Sequence, residues 1–176
     1  MKRFFLFIAL LTITSAFAQV KQTVTKSAVT YEIKNMGINT HGTFSGLTAD
    51  IKFDTQNLAT SSIEANIETA SLNSDNEMRD KHLKSEDYFD IAKYPKISMK
   101  SVSFKHKSGG NYTGVFNVTI KDKTKTVEVP FTYTESGSTA AFKGNFTINR
   151  QDFGVGGNSM VLAKDATITV EVETTK

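Results

Sequence analysis

Arg79, Asp80 and His82 set a guanidinium, a carboxylate and an imidazole within one short stretch of chain. Together those groups can clamp an anion, release a proton and accept one. A second polar group, Asn149, Arg150 and Asp152, ends a run of alternating residues and precedes Gly154, Gly156 and Gly157. The more usual setting for both is structural, with the arginine fork pairing a carboxylate, the histidine capping or packing, and the glycines letting the chain reverse. The three histidines, His41, His82 and His106, stand apart, and none has a second histidine two or four positions on to preorganise a metal site. A zinc or iron site would have to be assembled from distant segments, so no metal ligand is expected. The chain has no cysteine, which excludes thiolate nucleophiles and cysteine-held metals. It also has no G-x-S-x-G elbow, phosphate-binding glycine loop or dinucleotide fingerprint. No catalytic residue is expected, and a lipid-modifying enzyme is the most distant of the readings that follow.

The elements that must position these groups are strands. Apolar residues alternate with polar ones at Val29, Tyr31 and Ile33, at Ile63, Ala65 and Ile67, and at Tyr112, Gly114, Phe116, Val118 and Ile120. The same period of two runs through Val127–Tyr133, Phe142–Ile148 and Ala166–Val172, placing every second side chain on one face. Phe44 is taken to open a strand that resumes at Ile51 and Phe53. Ile97 and Met99 begin another strand whose apolar positions return at Val102 and Phe104, one residue out of phase, which predicts a bulge near Ser101. Eight antiparallel strands follow from this pattern, each with one apolar face and one face rich in Thr, Lys, Glu and Asn. A sandwich and an eight-stranded barrel both satisfy it. Glycines at 42, 46, 114 and 144 permit the close approach and coiling a barrel needs, and favour the barrel.

One stretch breaks the alternation. Between strands three and four, Asn73–Pro95 predicts a short helix over Asn76–Leu83, capped by Ser74 or Asp75, and a further turn carrying Tyr88 and Phe89. Met78, Leu83, Tyr88 and Phe89 are the groups this insert would lay against the sheet, as a plug or lid.

The ends and the composition bound the setting. Residues 1–18 carry two basic residues, an apolar run over Phe4–Ile13 and the small-x-small triplet Ala16-Phe17-Ala18, the layout of a secretory signal peptide. A mature domain spanning 19–176 is expected, in the periplasm or secreted. An N-terminal membrane anchor is the weaker reading, because the apolar run is short and Lys21 follows closely. Without Lys2 and Arg3 the basic residues fall from 21 to 19 against 18 acidic, a net charge of +1 that gives no long-range pull on nucleic acid or anionic membrane. The exposed faces show no interleaving of aromatic and basic residues, so no nucleic-acid partner is expected. Lys121, Lys123 and Lys125 read as a solvated hairpin tip. A domain of this length can bury a core without disulfides.

Of 13 phenylalanines, four leave with the leading segment and nine remain, most of them on apolar strand faces. Core packing accounts for most of them. An interior lined by Phe, Ile, Val and Met with few polar groups also suits a long apolar ligand. Tyr31, Phe44, Phe53, Met99, Phe104, Phe116, Phe131 and Phe146 are the candidate lining residues.

Three strings together carry a family likeness. They are Gly37–Phe44 (GINTHGTF), Arg79–Lys84 (RDKHLK) with Tyr88-Phe89-Asp90 and Lys93-Tyr94-Pro95, and Ile148–Gly154 (INRQDFG). The chain resembles the YceI-like family of bacterial periplasmic and secreted proteins over roughly Val24–Val172. The resemblance implies a lipocalin-like eight-stranded antiparallel barrel with an elongated pocket for a polyisoprenoid or isoprenoid quinone. It implies no cofactor other than such a bound lipid, and it groups Arg79, Asp80, His82, Phe89, Asp90, Arg150 and Asp152 as a structural motif. Many relatives carry histidine where this chain has Asn35, and glycine where it has Asp122. Carriage or storage of an apolar lipid is therefore the expected function, with a structural or stress-related protein whose barrel is filled by its own side chains as the rival. The sequence leaves open a transient membrane or protein partner and assembly as a homodimer.

Overall fold

A computed structural model describes residues 21–176, so the segment read as a signal peptide lies outside the described residues. The chain forms one antiparallel sheet of nine strands in the order β2-β1-β9-β8-β7-β6-β5-β4-β3. The strands are β1 (Thr23–Asn35), β2 (Ile38–Phe44), β3 (Thr48–Lys52), β4 (Ser62–Glu68) and β5 (Lys96–Ser108), then β6 (Asn111–Ile120), β7 (Lys123–Ser136), β8 (Thr139–Asn149) and β9 (Leu162–Thr175). The count is nine, not the eight expected, because the segment from Phe44 to Phe53 does not continue as one strand. Ser45, Gly46 and Leu47 interrupt it, with Gly46 at a φ of 71°, a conformation glycine adopts without steric cost. β2 then pairs with β1, while β3 pairs with β4 on the far edge of the sheet.

The sheet curls until its two edges approach each other, as in lipocalin-like barrels. At one end the backbone N–H of Gln22 donates to the Ile51 carbonyl at 2.9 Å, joining the start of β1 to β3. At the other end the segment after β4 comes up against β2. Thr43 of β2 and Asn73 of the insert exchange backbone hydrogen bonds of 2.8 and 3.0 Å.

The inward faces are those the alternation predicts. Tyr112, Gly114, Phe116, Val118 and Ile120 of β6 are all buried, and so are Val129, Phe131 and Tyr133 of β7. Three inward glycines pair across the ladder with aromatic residues: Gly42 with Tyr31, Gly114 with Phe104 and Gly144 with Phe131. At Gly42 the need is steric, since a Cβ there would lie 2.6 Å from the Tyr31 ring. The bulge in β5 falls between Ser101 and Ser103. Val102 is the residue it throws outward, 59% exposed, so the inward series runs Ile97, Met99, Ser101 and then Phe104. The outer face carries exposed cross-strand ion pairs, Lys100 with Glu64 at 2.5 Å and Lys143 with Glu171 at 2.6 Å, which solvent screens.

The insert contains one helix, α1 (Glu77–Leu83). Its cap is Asn76, whose side chain accepts from the Arg79 backbone N–H at 2.9 Å; neither Ser74 nor Asp75 fills that position. The helix turns Arg79, Asp80 and Leu83 toward the sheet and leaves Met78 84% exposed. Met78, expected to pack, lies one residue off the inward stripe. The insert is fastened from two sides. Lys121 in the β6–β7 turn is not simply solvated: its Nζ donates to the Glu86 carbonyl at 3.1 Å and lies over the Tyr94 ring. Gly156 donates its backbone N–H to the Asp87 carbonyl at 2.9 Å.

Candidate functional site

The interior is divided. At the end where Gln22 meets β3, side chains fill the space. Phe53 sits at the centre of an aromatic cluster, with ring centroids 4.9–5.7 Å from Phe104, Tyr112, Phe131, Tyr133 and Phe142. Most of these contacts are edge-to-face, the arrangement favoured by the ring quadrupole. Polar atoms here are satisfied. Gln22, 1% exposed, donates to the Phe53 carbonyl at 3.3 Å and accepts from the Thr174 hydroxyl at 2.8 Å. Tyr133 donates its hydroxyl to the Glu135 carboxylate at 2.8 Å, and Glu135 is in turn paired with Lys176. Burial first, and the Glu135 hydrogen bond second, hold the Tyr133 hydroxyl well above the usual tyrosine range.

Toward the insert the same inward faces enclose empty room, a cavity of about 330 Å³. Its wall is predominantly apolar, drawn from every strand of the sheet and from Leu83, Tyr88 and Phe89 of the insert. That volume lies at the lower end of the range for small-molecule sites, which run from about 300 to 1,000 Å³. Inward residues such as Met99, Ile168 and Val170 are only half-buried although they face the interior, because what they face is the cavity.

Of the eight candidate lining residues, Tyr31, Phe44, Met99, Phe116, Phe131 and Phe146 stand on the cavity wall. Phe53 and Phe104 do not. Both belong to the aromatic cluster behind the wall, where each has rings on more than one side. A second, smaller apolar group joins the sheet to the insert: Phe44, Ile67 and Leu72 are buried together, with Tyr31, Leu83 and Phe89 packed against them. Phe44 lies 6.0 Å from Tyr31 and 5.8 Å from Phe89, ring centre to ring centre, and so bridges β2 to the insert.

A model of the YceI-like domain matches residues 20–174, nearly the whole of what is described. The chain belongs to the YceI-like family. A UPF0312 protein of Pseudomonas savastanoi pv. phaseolicola is 34% identical over 138 residues, covering 73% of this chain and 71% of that protein. Among solved structures, BcnA of Burkholderia cenocepacia superposes with a TM-score of 0.80 at 30% identity, over 84% of this chain and 95% of that one. A polyisoprenoid-binding domain from Saccharophagus degradans has the same fold, with a TM-score of 0.70 at 9% identity over 88% of this chain and 97% of that one.

In this YceI-like chain the motif residues divide by role. Arg150 is 4% exposed and works as a carbonyl clamp. Its guanidinium donates to the carbonyls of Ala163 (2.8 Å), Val155 (2.7 Å), Gly157 (2.8 Å) and Leu162 (3.1 Å), tying the loop after β8 to the start of β9. Asp152, expected to share that task, is exposed and makes no side-chain hydrogen bond among the described residues; backbone carbonyls take the place of its carboxylate. Asp90 holds a turn in the left-handed region, φ 50°, with its carbonyl accepting from the N–H groups of Lys93 and Tyr94. His82 packs its ring 4.7 Å from that of Tyr88.

Arg79 does not pair with a carboxylate as expected. Its Nε donates to the Ser74 hydroxyl at 2.8 Å and its Nη2 to the Ser74 carbonyl, while Asp80 accepts from the N–H and hydroxyl of Ser74. Ser74, 2% exposed, thus separates cation from carboxylate. Sequence reasoning named Ser74 only as a candidate cap and missed this role. It also missed Gln22 and Thr174, which meet across 152 positions and offer no local signal.

Proposed function

We propose that this protein binds and carries a long apolar lipid of isoprenoid type, a polyisoprenoid or isoprenoid quinone, and does no chemistry on it. The observation that carries the reading is a curled sheet whose inward faces leave about 330 Å³ unfilled behind an almost wholly apolar wall. A lipid chain entering that room would remove apolar surface from water on both partners, worth roughly 25 cal/mol per Å². Family membership and the likeness to a domain that is itself described as polyisoprenoid-binding support the same reading. The leading residues 1–18 fit export, which would put the carrier in the periplasm or outside the cell, where a lipid moving between membranes needs a soluble shell.

Equilibrium binding of a polyprenol to the purified protein tests this. Saturable uptake of about one chain per protein is expected. Val170→Phe, which projects a ring into the cavity opposite Gly144, is expected to weaken it at least about tenfold. No saturable uptake, or uptake indifferent to Val170→Phe, would contradict the proposal.

A further inference from the structure

Apolar side chains on the outside of this protein gather at one end. Among the described residues the large hydrophobic side chains left exposed are Met36, Ile38, Met78, Val102, Met160 and Val161. All but Val102 stand where the insert and the cavity lie: Met36 and Ile38 at the β1–β2 turn, Met160 and Val161 in the loop before β9, and Met78 on α1. The connections at the filled end are the β3–β4 segment and the turns at Gly109-Gly110 and Gly137-Ser138, and they carry none of the six. Apolar residues exposed singly need no explanation, whereas a group of them at one place marks an interaction surface.

Four of these residues form one group. The backbone N–H of Met36 donates to the Val161 carbonyl at 2.8 Å, and the preceding Asn35 pairs with Leu162 across β1 and β9. The turn and the loop are thus joined, with Met36 and Ile38 on one side of the seam and Met160 and Val161 on the other. The group begins one residue beyond the cavity, whose wall includes both Asn35 and Leu162. Met36 is also held against its own backbone preference. It and Gly37 are the central residues of the turn, at φ 52° and 80°, a conformation that asparagine or glycine takes more readily than methionine. Neither the turn nor the core calls for a methionine there.

The chemistry of the group selects its partner. Met36 and Met160 are unbranched and flexible, and Met160 is wholly exposed, so they suit a yielding apolar medium more than a shaped pocket. Beside them Lys34 and Lys164 are exposed and make no ion pair among the described residues, which leaves both ammonium groups free to meet phosphate. We propose that this end of the protein docks on the surface of a phospholipid bilayer. Met36, Ile38, Met160 and Val161 enter the boundary of the acyl chains, and Lys34 and Lys164 stay at the head-group phosphates. Asp165, next to Lys164, keeps the electrostatic attraction modest, so burial of the apolar group drives the docking. The surface stands on these side chains alone. Its use, bringing the cavity to the layer that a lipid enters or leaves, rests on the carrier reading.

Flotation with vesicles of phosphatidylethanolamine and phosphatidylglycerol tests this, on protein recovered after export and shown by mass spectrometry to lack the apolar run Phe4–Ile13. The wild type is expected to float with the vesicles saturably. Met36→Asn combined with Met160→Ser should weaken that partition by at least about tenfold. Asparagine suits the backbone at position 36, and circular dichroism checks that the double variant is folded. Val102→Thr removes an exposed apolar side chain from the outer wall and should change nothing. Polyprenol delivered from ethanol should still enter the double variant, while its transfer out of vesicles slows. A wild type that stays free of vesicles, a double variant that floats equally well, or an equal loss in Val102→Thr would overturn the docking surface and leave carriage intact. A wild type that pairs with itself in analytical ultracentrifugation and ignores vesicles, with the double variant monomeric, would also overturn it, by giving the surface to a second copy. Docking without any uptake of polyprenol would keep the surface and remove the carrier reading.

Discussion

Two tyrosines on inward strand faces show how the ends of this sheet differ. Tyr133, in the aromatic end, has Glu135 at 2.8 Å and rings around it. Tyr31, in the hollow end, has packing for its ring and nothing for its hydroxyl. One end is filled as the chain folds, with Gln22, Thr174 and Tyr133 each hydrogen-bonded within the same chain. The other encloses room that its own side chains do not fill, and keeps one buried hydroxyl without a hydrogen bond. Packing and empty room thus fall at different ends of a continuous sheet.

Removing the centre of the filled end should have the largest effect. Phe53→Ala leaves a void among five rings and is expected to cost about 3–5 kcal/mol in urea unfolding. A cost below about 1 kcal/mol would mean the cluster is loosely packed and the contrast between the ends is false. Enlargement comes next. Ala140→Phe, in the filled end at 4% exposure, is expected to cost about 1–3 kcal/mol. Val170→Phe enters existing room and should change stability by less than about 1 kcal/mol while weakening lipid binding. Equal costs at the two positions would break the comparison.

Smaller and opposite in sign are the hydroxyl deletions. Tyr133→Phe loses a made hydrogen bond and should cost about 1 kcal/mol. Tyr31→Phe removes an unmade one and should stabilise the ligand-free protein by a similar amount, about 1 kcal/mol. Thermal melts of the two variants, ligand-free, sharpen the contrast if the shifts have opposite sign and erase it if both fall.

The smallest effect is on pH. Burial raises both hydroxyls above the ordinary tyrosine value. The unfolded chain then releases these protons first, near pH 10, so the contribution is fully present below that pH and is lost as pH climbs toward the folded values. Urea midpoints should fall between about pH 10 and 11, less steeply in Tyr133→Phe. A midpoint that rises with pH there would contradict the buried, protonated state of both groups.

Much of this fold can be read from period-two alternation, because an inward position on a curled sheet must be apolar wherever it falls. The bulge near Ser101 was visible as a phase slip for the same reason. The break at Ser45–Leu47 was not, since Phe44 and Phe53 keep the right types on either side while their strands join opposite edges of the sheet. Phe53 and Phe146 are likewise the same residue on the same face. What separates packing from lining is how many neighbours reach each from across the interior, a property of the sheet's curl. Arg150 announced itself as structural, but its partners are backbone carbonyls, which no side-chain pattern records.

The claim beneath all of this is that the hollow end holds a guest. Protein purified from its own host under mild conditions, extracted into organic solvent and analysed by mass spectrometry, tests it most directly. The account predicts about one isoprenoid-type lipid per chain, and far less from Val170→Phe. An extract with no lipid, together with a crystal structure in which side chains pack the interior solid, would contradict it.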